Sequence, residues 1–216
     1  MLLTFVFILT GYLIGSVSFA VLVSRAMGLP NPHSYGSGNP GATNVLRTGS
    51  KKAAVLTLLG DALKGGFALW LAQRIGTTVF DLPQQIQEFT LAGVALAAFL
   101  GHLYPVYFGF RGGKGVATAA GILVAMNAGM GAAILGVWLL VALITRYSSL
   151  AAITAALAAP AAAAVTFGQS WFTLAVLCMA VLLIWRHRGN ISKLRSGTES
   201  RIRLKRRDAA SLPDGG

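Results

Sequence analysis

Three long stretches without a charged side chain constrain this chain more than any other feature of its sequence. They cover residues 1–24, 115–145 and 147–185, and none of them contains Asp, Glu, Lys, Arg or His. Roughly 20 consecutive apolar residues are enough for a helix to cross a bilayer. Only 11% of the 216 residues are charged. We therefore predict an all-α polytopic membrane protein and exclude a cytosolic enzyme, a disulfide scaffold and a disordered chain.

The apolar runs and the breaks between them predict seven transmembrane helices. Residues 115–145 would measure about 46 Å as one helix, which exceeds the roughly 30 Å hydrocarbon core. Asn127, Gly129 and Gly131 supply a turn within that stretch, and residues 167–170 supply another within the next one. Five helices are the alternative, if both parts of residues 115–145 stay within one leaflet.

The placement of positive charge predicts the orientation of the chain. No cation precedes the first span and Arg25 follows it, so we expect the N-terminus outside and the C-terminus in the cytoplasm. The formal charge is +12, and half of the basic residues follow Trp185. Charge beside the spans favours contact with membrane lipid and argues against a nucleic-acid partner. We assign residues 1–207 to one integral-membrane domain and residues 208–216 to a short, polar, disordered tail.

Either helix count places three polar segments on the cytoplasmic side. The first segment contains a literal G-x-G-x-x-G, but a membrane span precedes it instead of a strand, so we reject a dinucleotide site. What remains is a flexible loop rich in hydrogen-bond donors, which suits an oxyanion, although an ordinary Gly/Asn turn is the alternative. The donors are Ser37, Asn39, Thr43, Asn44 and Arg47.

The second segment surrounds Lys114, which lies between Gly113 and Gly115 and follows Gly112. It is not a P-loop, because Gly follows the lysine where Ser or Thr is required. Glycines still let the backbone approach an anion, and a helix that starts near Gly115 would direct its N–H groups to the same place. The alternative is that Lys114 lies on an ordinary turn, where its positive charge only keeps this segment on the cytoplasmic side.

Two pairs of polar residues complete the candidate set. In the third segment His187 and Asn190 are three apart and share a face if the segment is helical, whereas its outer cations suit an anionic lipid surface. Asp61 and Lys64 lie inside a span at i,i+3, where they can neutralise each other. Ionisable residues in spans suggest function, and we expect this pair to orient the site.

Several residue patterns are missing, which narrows the chemistry further. No His is followed by Asp in an H-x4-D acyltransferase pattern. Outside the external segment and the C-terminal segment Asp61 is the only acid, so we expect no metal and no other cofactor. The three His residues also lack zinc-site spacing.

Together, the segments Gly36–Arg47, Gly101–Thr118 and Arg186–Glu199 resemble the signature motifs of the PlsY family, the bacterial acyl-phosphate:glycerol-3-phosphate acyltransferases. The resemblance implies transfer of a fatty acyl group from acyl phosphate to the 1-hydroxyl of glycerol 3-phosphate. The products would be lysophosphatidic acid and inorganic phosphate, in the first step of phospholipid synthesis. It also implies an active site on the cytoplasmic face of the inner membrane. The enzyme that makes acyl phosphate would be a candidate partner.

The resemblance assigns a role to each candidate residue. Lys114, His187 and Asn190 would be catalytic. The base would be either His187 or a phosphate oxygen of the substrate itself. The substrate-binding residues would be the five donors of the first segment with His102, Gly112, Gly113, Gly115 and Thr118. The supporting residues would be Asp61, Lys64, Arg186 and Glu199. A transporter or channel for a phosphorylated metabolite is the alternative function, which charged groups clustered at one face disfavour.

Overall fold

The computed structural model of the chain describes residues 1–202, except for the side chains of residues 77 and 78. This part of the chain is all-helical and has no strand, as predicted. The tail expected at residues 208–216, and the last residues of the domain assigned to 1–207, lie outside the described residues. The α-helices are α1 (Leu2–Gly15), α2 (Phe19–Ala26), α3 (Ala42–Val45), α4 (Lys51–Thr78), α5 (Gln84–Leu103), α6 (Val116–Met126), α7 (Ala128–Thr145), α8 (Ser148–Phe167), α9 (Trp171–Arg186) and α10 (Arg188–Arg195).

Four of these helices, α4, α5, α7 and α8, are long and apolar enough to cross a membrane. Two bent pairs, α1 with α2 and α9 with α10, raise the number of candidate spans to six if each pair counts as one. Helix α6 is apolar but has only 11 residues. The membrane class is thus confirmed for the described residues, while the count of seven and the orientation of the termini stay predictions.

The break predicted near residue 127 is present, but one residue makes it. Asn127 is extended (φ −156°, ψ 117°), and its Oδ1 accepts a hydrogen bond of 2.8 Å from the Met130 N–H, which caps α7. Gly129 and Gly131, predicted to share the turn, lie inside α7 instead. A Cβ on Gly131 would be 2.5 Å from Val124 Cα, so this glycine permits close packing of α7 against α6.

Glycines also bring the other central helices together. Gly15 of α1 meets the backbone of α5, where a Cβ would be 2.1 Å from the Ala98 carbonyl oxygen. Gly121 of α6 meets the backbone of α4 in the same way, since a Cβ there would be 1.9 Å from the Ala62 carbonyl oxygen. Small residues allow such approaches in membrane bundles. Helix α5 is therefore enclosed, and its buried C-terminal turn, at Leu103, carries the polar loop that follows.

Candidate active site

The first polar loop is organised around a single buried amide, Asn44. Its Oδ1 accepts hydrogen bonds from the backbone N–H of Ser37 (3.0 Å), the hydroxyl of Ser37 (3.2 Å) and Nη1 of Arg47 (3.3 Å). Its Nδ2 donates to the Pro32 and Tyr35 carbonyls. Asn44 therefore fixes the conformation of the loop, and it holds Ser37 and Arg47 next to each other because both donate to its side-chain oxygen. Its own predicted contact with substrate stays a prediction.

The remaining donors of this loop lie nearer the surface. Thr43 and Arg47 are exposed and Asn39 is half-buried. Arg47 Nη2 donates a 2.9 Å hydrogen bond to Ser200 Oγ, which joins this loop to the C-terminal segment. Gly36 has a positive φ of 60°, and a Cβ there would be 2.3 Å from Asn44 Oδ1. Only glycine fits at this position.

The second loop, residues 112–115, rests on the end of α5 with no space for a side chain at its glycines. A Cβ on Gly112 would be 2.1 Å from the His102 carbonyl oxygen, and one on Gly113 would be 2.2 Å from His102 Nε2. Gly113 also packs against the Pro40 carbonyl of the first loop. Gly115 precedes α6 with a φ of 87°. The predicted helix start is confirmed, so the first N–H groups of α6, which lack partners within the helix, directly follow this loop.

Arg186 holds the glycine loop from the opposite side. Its guanidinium donates to the Gly113 carbonyl from Nε (3.2 Å) and Nη2 (3.1 Å), and Nη2 also donates to the Gly112 carbonyl (2.9 Å). The same group lies 5.7 Å from the centre of the Tyr104 ring. Of the two amides that follow these carbonyls, the Gly113 N–H donates to the His102 carbonyl at 3.1 Å, which leaves the Lys114 N–H for an anion.

A chain of polar side chains runs from Lys114 through the third segment. Lys114 Nζ donates to Asn190 Oδ1, and Asn190 Nδ2 donates to Glu199 Oε1 at 2.7 Å. Ser149 Oγ donates to the same carboxylate oxygen at 2.6 Å. Burial lowers the pKa of the Lys114 ammonium, and the Glu199 carboxylate opposes that shift. The predicted catalytic Lys114 and Asn190 are thus in direct contact.

His187 lies at the bend between α9 and α10 and is buried. Its Nδ1 is 2.8 Å from the Leu183 carbonyl oxygen. A carbonyl oxygen only accepts, so Nδ1 carries the proton and Nε2 keeps a free lone pair. His187 therefore offers a hydrogen-bond acceptor near the positive charges of Lys114 and Arg186.

Two further predicted residues are buried at helix interfaces. Thr118, in the first turn of α6, packs its backbone against Gly65 of α4, and its Oγ1 has no hydrogen-bond partner among the described residues. His102 is buried at the end of α5, beneath the glycine loop. The predicted pair in α4 is present, because Lys64 Nζ lies 3.0 Å from Asp61 Oδ1 and next to His102.

Sequence reasoning missed the residues that hold the C-terminal segment in place. Besides Ser149, Tyr147 accepts a 3.0 Å hydrogen bond from Arg201 Nε, and the Arg146 carbonyl accepts one of 2.7 Å from the Ile202 N–H. The polar run between α7 and α8 was the available signal. Nothing in it indicated a contact about fifty positions further along the chain.

An apolar cavity of about 270 Å³ opens between α6, α7, α8 and α9. It begins beside the glycine loop and is lined mainly by aliphatic side chains. Its lining includes Val116, Leu123, Trp138, Ala156, Met179 and Leu183. Within residues 1–202, no three His, Cys, Asp or Glu side chains come together as a metal site would require. The site thus combines cations, backbone amides and an apolar cavity at one end of the bundle.

Comparison with known proteins gives one consistent family. Residues 5–197 match the family model described as glycerol-3-phosphate acyltransferase. Similar proteins of that name include one from Cupriavidus necator (60% identity, 93% of this chain and 97% of that one) and one from Paraburkholderia phytofirmans (58%, 95% and 94%).

Two solved structures are similar along nearly the whole chain. They are crystal structures of PlsY (YgiH), an integral membrane glycerol 3-phosphate acyltransferase. The glycerol 3-phosphate form has a TM-score of 0.82, with 37% identity over 93% of this chain and 96% of that one. The lysophosphatidic acid form has a TM-score of 0.81, also with 37% identity, over 93% and 95%.

Proposed function

The chain belongs to the glycerol-3-phosphate acyltransferase family, and we propose that it takes the acyl group from an acyl phosphate. The family makes it a membrane acyltransferase that acylates glycerol 3-phosphate to lysophosphatidic acid, a step of phospholipid synthesis. We propose the identity of the acyl donor, the residues that bind the substrates and catalyse the transfer, and the membrane face on which the active site lies. The transporter alternative has no observation in its favour.

The observation that carries the donor proposal is the position of Lys114 between a cationic loop and an apolar cavity. Acyl phosphate has a phosphate and an acyl chain, and the site offers a fitting surface for each. Glycine-loop amides and Lys114 suit the phosphate, while the cavity of about 270 Å³ suits part of the chain. Arg47 and Ser37 of the first loop are suited to the phosphate of the second substrate.

The reaction needs no covalent enzyme intermediate, because an acyl phosphate is already activated. The 1-hydroxyl oxygen of glycerol 3-phosphate attacks the acyl carbonyl carbon and forms the new ester bond. The bond from that carbon to the phosphate oxygen breaks, and the phosphate departs with the bonding electron pair. Lys114 and the loop amides stabilise the negative charge that grows on the leaving oxygen. Cys178, the only cysteine, lies within α9 and takes no part.

His187 and Asn190 position glycerol 3-phosphate in this scheme. The free Nε2 of His187 accepts the hydrogen bond of the attacking hydroxyl. The proton then goes either to that nitrogen or to a phosphate oxygen of a substrate. On the acyl phosphate it departs with the inorganic phosphate, and on glycerol 3-phosphate it is lost to solvent from the phosphate of the product. The two routes differ in one respect: only the first requires His187 itself to change charge.

We place this site on the cytoplasmic face of the bacterial inner membrane. The positive charge beside the spans supports this side, since cations flanking spans are retained in the cytoplasm. On that side the enzyme that makes acyl phosphate is a natural partner, because its product is anionic and the site is rimmed by cations. No metal or cofactor enters the proposed chemistry.

Release of inorganic phosphate by the purified protein tests the donor. Phosphate release and lysophosphatidic acid should appear together, one for one, with palmitoyl phosphate and glycerol 3-phosphate. Palmitoyl-CoA at the same concentration should give little product, because the sequence has no signature of a nucleotide pocket. Equal rates with the two donors would overturn the proposal. A chelator should leave the rate unchanged, and a loss that magnesium restores would count against the metal-free scheme.

A further inference from the structure

Lys64 is buried in α4, where its ammonium contacts three groups. Nζ donates to the Val17 carbonyl oxygen (2.5 Å), lies 3.0 Å from His102 Nδ1 and forms an ion pair with Asp61 Oδ1 at 3.0 Å. The side chains of Lys64 and Asp61 are each only 3% exposed. A lysine ammonium can only donate. Asp61 Oδ1, the other polar atom near this nitrogen, is 3.6 Å away and beyond hydrogen-bond distance. His102 therefore accepts from Lys64 at Nδ1, which leaves its ring proton on Nε2.

The other side of the His102 ring faces the glycine loop. A Cβ on Gly113 would lie 2.2 Å from Nε2, so only a glycine leaves this nitrogen room. The Gly113 N–H donates to the His102 carbonyl at 3.1 Å, and this hydrogen bond fixes the position of the loop relative to His102. A protonated Nε2 next to this loop adds one more donor to its amides.

We propose that Lys64 is a positioning residue: it holds His102 in the Nε2–H tautomer, so that this N–H donates to the phosphate bound at the glycine loop. The inference rests on the proposed phosphate site. In the opposite tautomer a lone pair on Nε2 would face the phosphate oxygens and repel them. Asp61 completes the arrangement, because its carboxylate balances the ammonium charge in a buried position.

The tautomer can be observed without substrate. In a spectrum of the ring-¹⁵N-histidine-labelled protein in lipid nanodiscs, His102 should show a protonated Nε2 and an unprotonated Nδ1. The spectrum of H102Q, which lacks this ring, identifies the His102 signals. A wild-type His102 with its proton on Nδ1 would overturn the proposal. Because no donor substrate is present, this result is independent of whether acyl phosphate is the donor.

Removing Lys64 alone leaves a buried unpaired carboxylate and risks misfolding, so the test uses the double variant D61N/K64M. Its His102 signals should move toward a mixture of the two tautomers. The exposed lysine at the start of the same helix supplies the control, since Lys52→Met should leave both signals unchanged. A D61N/K64M spectrum identical to that of the wild type would also overturn the proposal.

A double-variant comparison separates the tautomer effect from a general loss of structure. A glutamine at position 102 retains an amide N–H donor but has no tautomers. D61N/K64M should lower kcat/KM by about 10- to 100-fold when His102 is present, since small misplacements of a site group have costs of this size. In the H102Q background the same change should cost less than about 3-fold, because coupled residues are non-additive. Equal losses in both backgrounds would show that Lys64 acts only on structure.

Discussion

At the scale of single residues, the site depends on cations whose positions are set by neutral partners. Lys114 contacts the Asn190 amide oxygen, and Arg186 contacts two carbonyls of the glycine loop. Neither cation is paired directly with a carboxylate in these contacts. Because their charge is not cancelled by a direct ion pair, it remains available for the phosphates of the substrates.

Replacing Lys114 by alanine should nearly abolish turnover. The ammonium acts most strongly on charge that develops in the transition state, so kcat should fall roughly 10²–10³-fold. Phosphate release by purified variants of matched thermal stability measures the effect. Lys52→Ala, at an exposed position outside the site, should be nearly silent. Near-normal turnover of Lys114→Ala would contradict a catalytic role and leave the lysine only a role in the orientation of the chain in the membrane.

The dependence of kcat/KM on pH should report the charge of Lys114. Burial lowers the pKa of this lysine and the Glu199 carboxylate raises it, so activity should fall as pH rises through the resulting value. Glu199→Gln keeps an acceptor for Asn190 but removes the opposing charge. The pKa then drops further, and the alkaline limb of the profile should move to lower pH.

A matched control for this shift is available at the other end of α5. Glu88, in the first turns of α5, accepts a hydrogen bond from the Trp171 N–H, whereas the glycine loop that carries Lys114 lies beyond the opposite end of this helix. Glu88→Gln should leave the alkaline limb in place. A Glu199→Gln profile that is unchanged, or displaced to higher pH, would disconnect that limb from Lys114.

At the scale of helices, close backbone contacts through glycine position the site. Helices α1 and α4 pack against α5 and α6, whose ends carry the glycine loop between them. The loop can rest on α5 because neither Gly112 nor Gly113 has a Cβ. An error in the packing of these helices would therefore displace the site amides.

Gly15→Ala should destabilise the bundle at the contact between α1 and α5. The new Cβ would lie 2.1 Å from the Ala98 carbonyl oxygen, so the helices must separate. Overpacking of this kind costs about 1–3 kcal/mol, which a thermal unfolding scan in detergent should show as a lower Tm. Gly136→Ala in α7 is the control, because outside the neighbouring backbone of its own helix no atom lies within 4 Å of the added Cβ. A Tm for Gly15→Ala equal to that of the control would contradict the close packing.

At the scale of the whole molecule, the polar segments assemble at one end of the helical bundle. Helix α5 has 20 residues, or about 30 Å of length, with Gln85 near its start and His102 near its end. The first loop, the glycine loop and the third segment all contact one another around that second end. If α5 crosses the bilayer, the whole site lies on one side of it.

Cysteine labelling should place that site in the cytoplasm. In a Cys178→Ala background, single cysteines at the exposed positions Ser37 and Arg111 should react only with a reagent on the cytoplasmic side. One at Gln85 should react only from outside. Arg111 is preferred to Gly112, where a side chain would meet the His102 carbonyl. Labelling of Ser37 and Arg111 from opposite sides would overturn the single-site arrangement.

The sequence by itself determined those features that depend on local properties. Charge-free runs predict apolar helices, and the turn residues near 127 and 168 end them, because hydropathy and capping act over a few neighbouring positions. The pairing of Asp61 with Lys64 follows from their i,i+3 spacing in one helix. The polar motifs, with Lys114 before a helix start, identify the family on the same local grounds.

Only the tertiary structure decided which of these residues meet and through which atoms. The contacts of Lys64 with His102, and of Glu199 with Ser149, join residues that are 38 and 50 positions apart. Such contacts depend on how closely whole helices approach each other. In this bundle that approach is set by glycines facing backbone carbonyls, which no spacing within one segment specifies. The contact of Lys64 with His102, and the shared contact of Ser149 and Asn190 with Glu199, therefore follow from the packing of α4, α5 and α8, and not from any motif.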